Sequence, residues 1–309
     1  MHAADALSAR LMLPLGRLNM RDVEVNFYLD WVSERRQELS HLGYEVSSRP
    51  DEDIVHIYLN LQKRLVEPKP RQIHRSKEFQ CPAELQQGLS CIESAIRNGD
   101  DLTPYLSRLI KRADYDDPLL NHWGIHHLHL GARVDSDHFV ERTGPLLFVR
   151  FDSKCAYLIN IFSHGAWAMQ DMIRILHENW PESIESYRLN GVIGLTRSVS
   201  DQDVKVLRRK NINTFVEIGP NIVYAPIGGG AASSGISVDV VRQADYIKDQ
   251  LESMEQAVVE NIEQIADKAR EKGIMLPDKP RFELKEQDGR SYAVEVHTKI
   301  GVPLSRFFG

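Results

Sequence analysis

A mixed α+β fold is predicted by three features of the sequence. Helix-period apolar spacing dominates the first hundred residues, short apolar runs rich in strand formers follow Pro118, and further strand signals flank a long helical stretch near the C-terminus. The reading is of a helical N-terminal part, a small antiparallel sheet carrying a histidine cluster, and a second α/β unit with a long C-terminal helix and a terminal β-hairpin. At 309 residues the chain exceeds an ordinary domain, so more than one packed unit is expected. Composition shifts suggest divisions at 1–70, 71–186 and 187–309.

In chain order, residues 23–42 and 51–65 repeat apolar side chains at helical spacing, which predicts two amphipathic helices. Pro68 and Pro70 then forbid a continuous helix, so 66–71 is read as a connector. Helical periodicity returns over 82–96 and over 103–112, where Thr103 and Pro104 make a cap and first-turn pair. Beyond Pro118, residues 124–130, 146–151 and 156–163 read as strands, the last two joined by a turn at Asp152-Ser153-Lys154. A helix is expected over 167–179. Strands are expected at 191–195, 214–218 and 222–224, with a helix after Ser200. One helix over 238–272 would end at Gly273, and strands at 281–285 and 291–298 flank the hairpin signal Asp288-Gly289.

Composition narrows the function classes. Hydrophobic residues at 42% and charged residues at 27% match globular usage and exclude a disordered chain. With 38 basic against 44 acidic residues, a nucleic-acid partner must be met by a local basic surface rather than by a global field. Three cysteines without a C-x-x-C pair speak against a disulfide framework and for a reducing compartment. Residues 1–20 lack the continuous apolar core of a secretion signal, and no run of eighteen apolar residues suggests a membrane span. A soluble, cytoplasmic protein is expected.

The densest chemistry is a histidine cluster. Five of the twelve histidines, His122, His126, His127, His129 and His138, fall within seventeen residues. On a strand, alternation sends His127 and His129 to one face and His126 to the other. A neutral imidazole accepts a proton or binds a metal near pH 7, and its protonated form donates one, so two on a face make a versatile site. Histidines on a solvated sheet face that merely hydrogen-bond are the plain alternative. His164 ends a strand that also carries Asn160, and Arg150 lies in the partner strand, where it either reaches solvent or serves an anion.

The text Ile125-His-His-Leu-His-Leu-Gly131, then Leu146-Leu-Phe-Val-Arg-Phe-Asp152, then Tyr157-Leu-Ile-Asn-Ile-Phe-Ser-His164 resembles the RelE/ParE-type toxins and the wider barnase/EndoU/colicin/RelE group of ribonucleases. The likeness covers about residues 105–170. It departs from the toxin pattern in having histidine where arginine and lysine are usual, in an insertion over 132–145, and in a helix after His164. The resemblance implies metal-independent endoribonuclease chemistry on RNA. His127 or His129 would take the 2′-hydroxyl proton, His164 would protonate the leaving oxygen, and Arg150 or Arg133 would stabilise charge at phosphorus. Asn160, Arg133, Trp123 and Tyr157 are the candidates for substrate contact, with Trp167 a further ring on which a base could stack.

Two other readings stay open. His127, His129 and His164, with Asp135, Asp137 or Asp152 nearby, could instead ligate zinc or manganese in a metal-dependent hydrolase. A regulatory or assembly protein with a structural histidine face is the third. The Gly228-Gly229-Gly230 loop lacks both G-x-G-x-x-G and G-K-[ST], so it reads as a packing joint or mobile loop before a phosphate cradle. The helix over 238–272, with Glu252, Glu255, Glu260 and Glu263, suits a homodimer contact better than a nucleic-acid contact.

Overall fold

The computed structural model describes residues 22–307, so the reading of residues 1–20 lies outside it. The fold is mixed α+β, as the sequence predicts. Two compact units emerge, one from the chain up to Glu34 together with Ile247 onward, the other Arg35–Tyr246. This grouping differs from divisions at 70 and 186, because one core joins residues before 186 to Val204, Val216, Tyr224 and Ile227, and Arg64 donates to the carbonyls of Leu109, Arg112 and Ala113.

The smaller unit holds a sheet of β1 (Glu24–Val25), β8 (Arg281–Gln287), β9 (Arg290–Glu295) and β10 (Gly301–Pro303), in the order β1-β8-β9-β10. Asp288 and Gly289, both with positive φ, make the turn between β8 and β9 that the sequence signals. The expected single helix over 238–272 is two helices, α7 (Val238–Glu260) and α8 (Ile262–Glu271). Asn261 breaks it: its side-chain amide donates to the Ala257 carbonyl, the local competition that makes asparagine a poor helix interior residue.

In the larger unit, α1 (Phe27–His41) continues from the smaller one, followed by α2 (Asp51–Arg64) and α3 (Gln86–Asn98). The expected helix over 103–112 is two 3-10 turns, Thr103–Tyr105 and Arg108–Lys111. Leu106 is extended between them, and the Ser107 hydroxyl accepts from Leu109 N to cap the second turn. A short helix that periodicity did not signal, α4 (Pro118–Trp123), has Asp117 as N-cap, Pro118 in its first turn and Gly124 at its left-handed C-cap.

The central sheet has the order β2-β5-β4-β3, formed by β2 (Gln72–Arg75), β5 (Cys155–Ser163), β4 (Pro145–Phe151) and β3 (His126–His129). β3, β4 and β5 are antiparallel neighbours, whereas β2 runs parallel to β5 with Gln72 opposite Cys155. β2 has no hairpin partner nearby in sequence and is not among the expected strands. One face of the sheet packs on α5 (Asp171–Asn179) and α6 (Asp201–Arg208) through Ile125, Leu146, Phe148, Ile159, Met172 and Val204, all at most 2% exposed. Ser200 and Asp203 close a capping box at the start of α6.

Residues 191–195 form no strand. The Leu195 amide is taken by the Glu217 carboxylate rather than by a ladder partner, and Ile193 is 82% exposed. The neighbouring hairpin β6 (Val216–Gly219) and β7 (Ile222–Tyr224) is present.

The glycine-rich loop is a packing joint. Gly230 N donates to the Asn121 carbonyl and Gly228 N to the His122 carbonyl, while the Asn213 side chain brackets Ala231 through both its amide oxygen and nitrogen. A Cβ at Gly228 would lie 2.3 Å from the Leu120 carbonyl oxygen and 2.4 Å from Gly124 N. Both contacts are backbone and cannot swing aside. Gly228→Ala is therefore expected to destabilise the fold by about 1–3 kcal/mol, the usual range for overpacking. The check is the denaturant midpoint, which should fall without loss of the folded baseline.

Candidate functional site

The register of three strands decides which side chains meet. His129 lies opposite Leu146, and Leu146 opposite Phe162, so all three occupy one rung; His127 pairs with Phe148 two rungs away, on the same face. His164 follows Phe162 by two positions and returns to the same face. Side chains from the turn before α4, from α6 and from residues 142 and 164–168 enclose this face into a cavity of about 350 Å³ lined by His127, His129 and His164. The three imidazoles named from the sequence thus border one concavity.

Trp167 stands between two of them. Its ring meets His127 edge-on at 4.7 Å and His164 edge-on at 5.1 Å between centroids. His164 is exposed, whereas His129 is 3% exposed. The rings differ in their hydrogen bonding. His129 Nδ1 accepts from Thr143 N at 3.4 Å, which assigns the ring proton to Nε2 and makes that nitrogen a donor. His127 Nδ1 faces Asp117 Oδ2 at 3.8 Å, an arrangement that favours the proton on Nδ1 and leaves Nε2 as an acceptor.

Asp117 serves two structures at once. Its Oδ1 accepts from Leu119 N and Leu120 N to cap α4, while Oδ2 turns toward His127. Burial lowers the pKa of His127, and the Asp117 carboxylate works against that by favouring the protonated ring, so the base stays tunable. Burial, with Arg142 nearby, brings His129 down to about 4. Both rings are neutral at pH 7.

The cavity wall is strongly cationic. Arg142, Lys205, Arg208 and Arg209 line it, against Asp117 as the single carboxylate among the lining residues. Lys205 and Arg209 lie four residues apart at the end of α6 and share a helix face. Arg208 is 6% exposed; its Nη1 donates to the Trp167 carbonyl and its guanidinium lies 4.2 Å over the Trp123 ring. Burial draws its pKa down to about 10, still cationic at neutral pH.

Several residues nominated from the sequence lie elsewhere. Arg150 does not line this cavity; its guanidinium reaches the Ile227 and Ser183 carbonyls at 3.4 and 3.5 Å and covers the Tyr187 ring. Arg133 is exposed and pairs with Glu141 at 3.3 Å. Asn160 is held by the chain beside β2, accepting from Gln80 N and donating to the Glu78 carbonyl. Trp123 is 1% exposed in the core, and Tyr157 is 7% exposed with its hydroxyl donating to Asp152. None of these five borders the histidine cavity.

The carboxylates considered as metal ligands are engaged as well. Arg108 holds Asp135 and Asp137 at 2.7 Å each, and Asp152 accepts from Lys154 N, Cys155 N and the Tyr157 hydroxyl. Among the described residues no three His, Cys, Asp or Glu side chains are arranged to hold a metal ion. Also among the described residues, no helix is long and apolar enough to cross a membrane.

Asp117, Arg142, Lys205, Arg208 and Arg209 were not singled out in the sequence. Asp117-Pro118 followed by Gly124 is a legible cap pattern, and Lys205 and Arg209 follow the capping box of α6 at helical spacing. Arg142 lies in the inserted loop and carries no local signal. No protein-family model matches the chain, and neither a curated protein nor a solved structure matches it.

Burial leaves a pH signature in stability. His122, His126 and His129 each have a folded pKa of about 4 against 6.5 for a free ring. The unfolded chain therefore takes up protons first as pH falls, so stability present above pH 6.5 is lost toward pH 4. Each group contributes a slope of up to about 1.4 kcal/mol per pH unit in that window. The urea midpoint should drop steadily from pH 7 to pH 4.5, and His126→Leu should flatten the curve; a midpoint constant across this range would contradict the buried neutral rings.

Proposed function

We propose that this chain is a metal-independent endoribonuclease whose centre is the histidine cavity. The observation that carries the reading is a concave site in which three imidazoles, two of them with opposite proton placements, stand among four cations and one carboxylate. An anionic substrate is favoured there, and general acid–base groups sit within the same walls. The resemblance of the sequence motif over residues 105–170 to the RelE and barnase groups is the other support for this reading.

In this scheme His127 Nε2 takes the proton of a ribose 2′-hydroxyl as that oxygen attacks the adjacent phosphorus. The bond from phosphorus to the 5′-oxygen breaks, and His164 supplies the proton that this oxygen acquires. The products are a 2′,3′-cyclic phosphate and a free 5′-hydroxyl, so atoms and charge balance without a co-reactant. Arg142, Lys205 and Arg209 offset the charge that grows on the non-bridging oxygens, and His129 Nε2–H is a further donor to them. Trp167, flanked by both reacting imidazoles, offers an aromatic surface for an unpaired base. Arg150 and Arg133, the cations named from sequence, give way to the three at the cavity.

Single-stranded RNA incubated with the protein in excess chelator should be cut and leave cyclic-phosphate ends. His127→Ala and His164→Ala should each slow cleavage about 100-fold or more, the usual scale of lost general acid–base catalysis. Wild type that leaves RNA intact, or variants that cut as fast as wild type, would refute the assignment.

Asp117 is a positioning residue in this scheme, and its substitution has a separate signature. Asp117→Asn keeps an oxygen for the α4 cap but removes the charge that raises the His127 pKa. The base then loses its proton at lower pH. The acidic limb of the pH–rate profile should move to lower pH while overall stability changes by under about 1 kcal/mol; a rate loss with an unmoved limb would mean that the carboxylate does not act through His127.

A further inference from the structure

Buried polar atoms without a hydrogen-bond partner occur at several places in this unit, singly at Asn60 Oδ1, Arg64 Nε and Arg150 Nε and as a pair on His126. The largest group of them borders one cavity. A second cavity of about 260 Å³ lies between α4, the end of α6 and the glycine-rich loop, and Asn121, His122 and Arg208 border it. These side chains are 1%, 2% and 6% exposed.

Five of their buried polar atoms have no hydrogen-bond partner: Asn121 Nδ2 and Oδ1, His122 Nδ1, and Arg208 Nε and Nη2. Leaving such groups unpaired costs about 1–3 kcal/mol each, so a complementary occupant is strongly favoured. Nε and Nη2 are the two nitrogens on one edge of the guanidinium, the parallel pair that meets two oxygens of an oxyanion side-on. That edge is pre-set, because Nη1 is tied to the Trp167 carbonyl and the plane lies over Trp123. Arg209 adds a second positive charge at the cavity, and Asp116 lines it as an acceptor.

We infer that this second cavity is a binding site for a small phosphate monoester or free phosphate, held by the Nε–Nη2 edge of Arg208 and by the Asn121 amide. The phosphate oxygens satisfy Arg208 and Asn121 Nδ2, and a protonated phosphate oxygen or a hydroxyl of the attached group satisfies Asn121 Oδ1 or Asp116. His122, kept neutral by burial and by the Arg208 charge, offers one more hydrogen bond through Nδ1. The glycine-rich loop supplies the floor, with Ser234 and Gly235 at the rim, and Gly228 lets it close on α4. Arg208 also lines the histidine cavity, so the two sites share a wall. The site stands on its own unpaired groups and holds whatever chemistry the histidine cavity performs.

Calorimetric titration of the full chain with inorganic phosphate, and separately with adenosine 5′-monophosphate, tests this directly. Wild type and His164→Ala should bind at least one probe with the same affinity, and Asn121→Ser and His122→Phe should each weaken that binding at least tenfold. Equal affinity for both probes identifies free phosphate as sufficient, and tighter nucleotide binding identifies a monoester; either supports the site. If a substitution prevents folding, the His122 imidazole resonances of wild type give the same answer by shifting on addition of phosphate. Failure of both probes to bind, an unmoved His122 signal, or binding that survives Asn121→Ser but is lost in His164→Ala would overturn the assignment.

Discussion

The antiparallel register of β3, β4 and β5 is the constraint on which the candidate site rests. His127 and His129 lie on the strand at one edge of this trio and His164 just past the strand at the other, with β4 between them. Because side chains alternate with a period of two, a slip of one residue in either pairing would turn a histidine into the opposite layer. Leu146 to Val149 are all at 0% exposure, so β4 is packed on both faces and each side chain fills its own place in a closely packed layer. Hydrophobic packing therefore sets the geometry of the polar site.

On that scaffold the electrostatics are deliberately unequal. The carboxylates near the cavity are held by cations or by backbone donors away from it, as with Asp135 and Asp137 on Arg108, while Asp117 alone among the lining residues brings negative charge inside. Arg142, Lys205, Arg208 and Arg209 thus bring positive charge to the cavity with little internal compensation. Arg208 is the extreme case, because its burial leaves the charge poorly solvated and its side edge unpaired. A buried cation of this kind gains most from a ligand that replaces lost hydration with direct hydrogen bonds.

Much of the fold is legible in the sequence because its signals are local. The amphipathic helix over 51–64, the capping box at Ser200 and the Asp288-Gly289 hairpin each depend on residues within a turn or two. The convergence of His127, His129 and His164 was readable in part through strand alternation, and their common cavity required the pairing register. What was not legible is non-local. Arg150 has the chemistry of an anion-binding residue, yet its contacts at Ile227 and Ser183 lie far along the chain and turn it elsewhere. Arg208 reads as one more basic residue at a helix end, and only the packing of Trp123 and Trp167 around it makes it distinctive. Asn261 divides the long helix by a side-chain bond that a periodic apolar stripe does not reveal.

The parallel pairing of β2 with β5 bears on how the molecule is assembled during synthesis. β2 leaves the ribosome long before its partner, since Gln72 must wait for Cys155, and the hairpin of β4 and β5 closes first as a local event. At ordinary elongation rates of about 5–20 residues per second the waiting strand spends several seconds with its ladder groups open. The central sheet is consequently completed late in translation, because β2 gains its partner only once β5 has been made.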